Sequence, residues 1–140
     1  MKTIIAGSRD ILPPRSGMSA YEWMRAYSKA LYTVMNVVNS IIAKEGLKIT
    51  EVVSGTAKGV DRLGEAWANK NKVKIKPFPA NWNKYGKSAG FLRNSEMADY
   101  ADVLIIIWDG KSKGSKMMKE IAEKEGLKVY EHIFDLKEIT

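Results

Sequence analysis

The sequence predicts an α/β fold, a three-layer sandwich built on a five-stranded, mostly parallel sheet. Three observations lead there. Short apolar or β-branched runs (Thr3–Ala6, Ile49–Ser54, Val73–Phe78, Val103–Trp108 and Lys128–Ile133) alternate with stretches of helical period. Strands separated by helices pair in parallel through right-handed crossovers. Val103–Trp108 is apolar without interruption, as expected of a central strand buried on both faces. The glycine-bearing turns each follow a strand, so they gather at the edge where parallel sheets hold their ligands.

Each element has a local reason. The first strand ends at Gly7-Ser8-Arg9-Asp10, and a long irregular loop through Pro13-Pro14 leads to Ser19. Ser19 with Glu22 three residues on forms a capping box, and Gly46 is a stop signal. Between them, a helix to about Lys44 places Trp23, Tyr27, Leu31, Val34, Met35, Val38, Ile41 and Ile42 at helical spacing, with Tyr32 and Val37 flanking. Some 25 helical residues span roughly 37 Å, against about 20 Å for a six-residue strand. The helix over residues 20–44 is therefore expected to overhang the sheet and to mediate a homo-oligomer, a dimer or higher.

Val52–Asp61 is the stretch around which the expectation of a ligand forms. A strand ends at Ser54-Gly55, small residues follow, and a helix opens at Gly59-Val60-Asp61 with Leu63 and Trp67 facing the sheet. Such a turn offers unpaired backbone N–H groups and the positive end of a helix dipole to an anion. Asp61 in the first helical turn is expected to hold the loop by accepting backbone N–H bonds, ahead of any direct contact with ligand, and Glu65 to be solvated. The third strand carries lysines at alternate positions, which suits a sheet edge. The segment Pro79–Gly90 interleaves Trp82 and Tyr85 with Lys84 and Lys87, a pattern suited to stacking on a base or to pinning a loop. A helix from about Gly90 to Ala101 carries Arg93 and Asn94 in its first turn and is expected to turn Phe91, Ala98 and Ala101 inward. After the central strand, Asp109-Gly110-Lys111-Ser112-Lys113-Gly114-Ser115 opens a helix with Met117, Met118 and Ile121 expected inward, and Glu120 toward solvent.

Composition narrows the function classes. A chain of 140 residues fits one domain spanning 1–140. It contains no cysteine, which excludes disulfides, thiolate nucleophiles and cysteine-ligated zinc. Its one histidine, His132, falls in the last strand, so neither a histidine metal site nor a catalytic triad is expected. No signal peptide or membrane-length apolar run is visible, which suggests a soluble, cytoplasmic protein. The net charge of +7 raises the local concentration of anions, and Lys84, Lys87, Arg93, Lys111, Lys113 and Lys116 fall in or beside the suspect loops. Gly86-Lys87-Ser88 and Gly110-Lys111-Ser112 look like P-loop tails, but the required upstream glycine is Asn81 in one and Ile105 in the other. The dinucleotide fingerprint G-x-G-x-x-G is also absent, since three residues separate Gly55 from Gly59.

Several blocks together resemble a known family. They are Gly7-Ser8-Arg9, Ser54–Asp61, Ala80-Asn81-Trp82, Tyr85–Gly90, Arg93-Asn94 with Met97, and Gly110 with Gly114-Ser115. They resemble the SLOG superfamily of Rossmann-like proteins, named for the Smf/DprA and Lonely Guy proteins, and within it the stand-alone YspA-like branch. The resemblance implies a Rossmann-like fold with a pocket for nucleotides or nucleotide-derived ligands, such as ADP-ribose-like compounds or nucleoside monophosphates. Ser54, Gly55 and Gly59 match its phosphate-side loop, and Gly114 and Ser115 match its second, Gly-Thr loop. Arg93 falls where the phosphoribohydrolase branch carries a catalytic arginine and is the catalytic candidate that the resemblance implies. Where that branch carries a glutamate, four residues after the glycine of its Gly-Thr pair, this chain has Met118.

The expected ligand-binding set is thus Gly7, Ser8 and Arg9; Ser54, Gly55, Thr56, Ala57, Gly59 and Asp61; Trp82 and Tyr85; Arg93 and Asn94; and Asp109, Gly110, Gly114 and Ser115. Three readings follow. The first is a sensor or sequestering protein that binds a nucleotide-derived small molecule. The second is a nucleoside 5'-monophosphate phosphoribohydrolase with Arg93 on the phosphate and Asp109 or Glu120 as the acid. The third is single-stranded DNA binding through the lysines with Trp82 and Tyr85. Missing the glutamate, the chain fits the first best. No dedicated metal cage is visible, and Mg2+ would enter only with a phosphate ligand.

Overall fold

The computed structural model describes residues 1–135; the last five positions of the expected 1–140 domain lie outside the described residues. Five strands, β1 (Lys2–Gly7), β2 (Glu51–Ser54), β3 (Lys74–Pro77), β4 (Val103–Trp108) and β5 (Lys128–Ile133), form one sheet in the order β3-β2-β1-β4-β5. All four pairings are parallel, so the sheet is wholly rather than mostly parallel. The helices are α1 (Ala20–Glu45), α2 (Val60–Lys70), a single turn α3 (Trp82–Tyr85), α4 (Ala89–Tyr100) and α5 (Lys113–Lys124).

Alternation along the strands makes two cores, one on each sheet face. Ile5, Val103, Ile105 and Ile107 point to one face and pack with Ala30, Val34 and Val38 of α1 and Val60, Leu63 and Trp67 of α2. Ile4, Ala6, Leu104, Ile106 and Trp108 point to the other, against Met97 and Ala98 of α4 and Met118 and Ala122 of α5. Every residue of β4 is buried, as its unbroken apolar run predicts.

Local signals place the long helix well. Ser19 accepts the Glu22 N–H at 3.1 Å, the Glu22 carboxylate accepts the Ser19 N–H, and Gly46 ends the helix in the left-handed region. Three expectations need correction. Phe91 is 52% exposed rather than inward. The buried arc of α4 is centred on Gly90, Asn94 and Met97, and at about 100° per residue Phe91 falls on its flank. Residues 79–90 are not one loop, because Asn81 accepts the Lys84 N–H and caps the turn of α3. Glu65 is not solvated but accepts a 2.5 Å hydrogen bond from the Ser54 hydroxyl.

The chain leaves β1 for β2 and β3 on one side, then returns to place β4 and β5 on the other. The crossing point lies between the exit ends of β1 and β4, where a parallel sheet opens a crevice.

Candidate functional site

A cleft of about 280 Å³ opens at that crossing point. Its lining comes from four directions. The exit of β1 contributes Ala6, Gly7, Arg9 and Asp10; the turn into α2 contributes Ala57 and Asp61. The lip and first turns of α4 contribute Trp82, Gly90, Arg93, Asn94 and Met97. The start of α5 contributes Ser112, Gly114, Ser115, Met117 and Met118.

The turn between β2 and α2 is stitched to the protein itself. The Ser54 hydroxyl accepts the Thr56 N–H at 3.1 Å while donating to Glu65, and Asp61 accepts the Ala57 N–H at 3.1 Å. Gly59 has φ +82, and a Cβ there would stand 2.7 Å from the Arg9 Cα. Arg93 crosses from α4 to donate to the Gly55 carbonyl, and its Nε donates to Asn94 Oδ1 at 2.8 Å. Ser54, Gly55, Thr56 and Gly59, expected at the ligand, are therefore absent from the cleft lining. Their polar groups and close packing serve the turn.

The turn between β4 and α5 is shaped from behind. Asp109 accepts the N–H groups of Lys111 and Ser112 at 2.8 and 2.9 Å, and the buried Ser8 hydroxyl accepts the Asp109 N–H at 3.1 Å and pairs with the Ser112 hydroxyl at 3.0 Å. Ser8, Asp109 and Gly110 thus stand behind the cleft wall rather than on it. In α5 the first bond along the helix runs from the Lys116 N–H to the Ser112 carbonyl at 3.1 Å. Helical geometry leaves the N–H groups of Lys113, Gly114 and Ser115 without an intrahelical acceptor. Nothing lies within 4 Å of where a Gly114 Cβ would be. This turn is open.

Electrostatics follow from the burial. Burial pushes the Asp61 carboxyl up to about 6, against the downward pull of the Ala57 N–H and of Arg93 and Arg9; nearby Glu65 adds to the rise. Burial also lowers the Arg93 guanidinium pKa, as does Arg9, while Asp61 opposes the shift. Burial alone would raise Asp109, but the backbone N–H bonds from Lys111 and Ser112, with the Ser112 and Ser8 hydroxyls, outweigh it and hold that carboxyl below its ordinary value. Asp109 is therefore an ionised brace, unsuited to donate a proton, and Glu120, paired with Lys116 on the outside of α5, does not line the cleft. Both expected acids fall away. No group of three or more histidine, aspartate or glutamate side chains that could hold a metal ion occurs among the described residues.

At the lip Trp82 is 52% exposed and lines the cleft, whereas Tyr85 points elsewhere, with Lys84 over its ring at 5.1 Å. Of the lysines expected near the ligand, none lines the cleft; of that basic set only Arg93 does. Sequence reasoning missed Ala6, Asp10, Gly90, Met97, Ser112, Met117 and Met118 as lining residues. Met117 and Met118 read as core, and no pattern separates a core methionine from one that floors a cleft. Ser112 carried the one usable signal, as a serine just ahead of the α5 helix.

Gene 61 protein of Mycobacterium phage D29 is 36% identical over 84 residues, covering 56% of this chain and 67% of that protein. The X-ray structure of DNA processing protein A (DprA) from Streptococcus pneumoniae superposes with a TM-score of 0.59 at 20% identity, over 96% of this chain and 52% of that one. The chain thus spans about half the length of that solved structure, and the likeness is one of fold. No helix among the described residues is long and apolar enough to cross a membrane. The model of the YspA, cpYpsA-related SLOG family matches residues 1–85, β1 through α3, and the chain belongs to that family.

Proposed function

We propose that the chain binds a nucleotide or nucleotide-derived small molecule, phosphate end first, in the cleft between the exits of β1 and β4, as a sensor or sequestering protein. One observation carries this reading: Arg9, Arg93 and the open first turn of α5 border the same small cleft. Backbone N–H groups at a helix start, with two arginines on the same cleft, suit a phosphate. Glycine at 114 leaves the approach to those N–H groups clear. Where a hydrolase of the resembled branch carries its carboxylate, the cleft has the buried side chain of Met118, which supports holding a ligand intact.

The test is thermal denaturation with a panel of nucleoside monophosphates, ADP-ribose and single-stranded oligonucleotides. A ligand at 100 times its Kd stabilises by about 2.7 kcal/mol, a shift of several degrees for a chain of this size. The expected result is saturable stabilisation by a small nucleotide, lost in Arg93→Ala. A panel without effect contradicts the reading. Binding restricted to oligonucleotides and falling steeply with salt would replace it with the DNA-binding reading.

Hydrolysis keeps one supporting observation, a cleft carboxyl, Asp61, with a pKa raised to about 6 beside Arg93. Free adenine released from AMP, and lost in Asp61→Asn, would establish it. A homo-oligomer through α1 is supported by Tyr21, Met24 and Tyr32, which are exposed on its first half. Sedimentation of the chain beside Tyr32→Glu tests that pairing.

A further inference from the structure

The first turns of α1 stand clear of the core. None of the residues Ala20–Lys29 is buried, although Tyr21, Trp23 and Met24 fall there, and the buried positions of the helix begin at Ala30. Beside this stretch a hollow of about 400 Å³ opens between the helix and the chain leaving β1. Ile11, Pro13, Met18 and Ala26 make its apolar floor, and Ile11 is buried. The loop wall is tied in place. The Arg15 guanidinium lies 5.7 Å over the Trp23 ring and donates to the Met18 carbonyl at 2.7 Å, and the Met18 N–H returns a bond to the Arg15 carbonyl at 3.2 Å. The hollow is therefore built before anything enters it.

Its rim is cationic. Glu22, Arg25, Ala26 and Lys29 recur at i, i+3, i+4 and i+7 and so share one face of α1. The Glu22 carboxylate is engaged at the helix start by the Ser19 N–H. Arg25 and Lys29 stand one turn apart, and among the described residues no carboxylate lies within 4 Å of either. Like charges four residues apart repel, so the rim lacks the acid that would balance it. This face lies about 100° round the helix from Tyr21, Met24 and Tyr32, on a different flank from the one that would pair α1 with a second copy.

We propose that this hollow docks an acidic segment of another protein, which inserts one apolar side chain over Ile11 and lays its carboxylates on Arg25 and Lys29. Charge complementarity carries the choice of partner: two cations without an acid border an apolar floor. A bilayer surface, flat at this scale, would reach the rim and leave the floor empty. A second copy of the chain docked on this flank would bring another cationic rim to the first. The proposal is independent of what the cleft between β1 and β4 holds.

Random dodecapeptides displayed and selected on the whole chain, with affinities then read by fluorescence anisotropy, test it. Recovered peptides are expected to carry Asp or Glu beside a large apolar residue. Their affinity should fall at least about tenfold in Arg25→Glu/Lys29→Glu, because reversal replaces two attractions with two repulsions. Lys74→Glu/Lys76→Glu makes the same change of net charge on edge strand β3 and should cost less than about twofold. Ala26→Phe fills the hollow without altering charge and should abolish binding, with melting temperatures showing that each variant is folded. Recovered peptides without acidic residues, equal losses in the two charge reversals, or affinity unmoved by Ala26→Phe overturn the proposal. So does a selection that recovers no peptide, or one whose place is taken by binding to phosphatidylserine vesicles. If Arg25→Glu/Lys29→Glu instead disperses an oligomer of the chain, the occupant is a second copy and the proposal is overturned.

Discussion

Gly59 and Gly114 stand at similar places, each at the start of a helix that follows a parallel strand. A methyl group at 59 would meet the backbone of Ser8 and Arg9, whereas at 114 it would meet nothing within 4 Å. The difference extends to the rest of each turn. Around Ser54–Asp61 the N–H groups of Thr56 and Ala57 are taken by Ser54 and Asp61, and Arg93 is tied to the Gly55 carbonyl. Around Asp109–Ser115 the hydrogen bonds run back to Asp109 and Ser8, behind the wall, and Gly114 and Ser115 of the first turn of α5 line the cleft. One turn is packed against the protein's own backbone, and the other is open beside the cleft. The same letter in a sequence records a requirement of the protein in one place and a vacancy in the other.

Substitutions can break or sharpen this contrast. The largest effect is expected from Gly59→Ala. Its backbone, at φ +82 and ψ −129, is one that residues with a Cβ rarely adopt, and the methyl group would meet backbone atoms; a loss of ~2–4 kcal/mol in urea denaturation is expected. Gly114→Ala should leave stability within about 1 kcal/mol, on the favourable side, while weakening sulfate or AMP binding. Equal losses of stability at the two positions would erase the distinction.

Next comes Asp61. Its folded pKa of about 6 lies above the ordinary 3.8, so the folded state favours the protonated form. Stability from this group is present below the ordinary value and is lost as pH rises through 6. Relative to Asp61→Asn, which keeps an acceptor for the Ala57 N–H, the wild-type chain should lose on the order of 2–3 kcal/mol between pH 4 and 7. Sulfate, whose charge is constant over that range, should bind more tightly to the wild-type chain at pH 5 than at 7.5, and Asp61→Asn should flatten the difference. Parallel stability profiles for the two chains would contradict the assignment. A smaller loss, ~1–2 kcal/mol, is expected for Ser54→Ala, which strips the Thr56 N–H and Glu65 of their shared partner. Smallest is Tyr85→Ala, outside the cleft and 44% exposed. It should change stability by no more than about 0.5 kcal/mol and leave AMP affinity untouched, in contrast to Trp82→Ala.

The contrast also shows what a sequence can carry. The capping box at Ser19 and Glu22, the stop at Gly46 and the uninterrupted Val103–Trp108 are local signals, and each element they mark stands where expected. The gathering of the suspect loops at one edge follows from parallel topology alone. Which loop is open does not follow. That depends on the Ser8–Arg9 backbone arriving against Gly59, an approach between residues far apart in the chain. Phe91 went astray because one residue more or less rotates a helix face by about 100°. The partnership of Glu65 with Ser54 was hidden because a helical glutamate reads as solvated until its neighbour is known. The family match to residues 1–85 covers the closed turn and stops short of Arg93 and the open one.

The most direct measurement of the central claim is an amide NMR titration of the chain with AMP, followed residue by residue. The account predicts the largest saturable shifts at Gly114 and Ser115, with Gly55 and Gly59 nearly still. Shifts concentrated at Gly59, Val60 and Asp61, with the start of α5 unmoved, would contradict it.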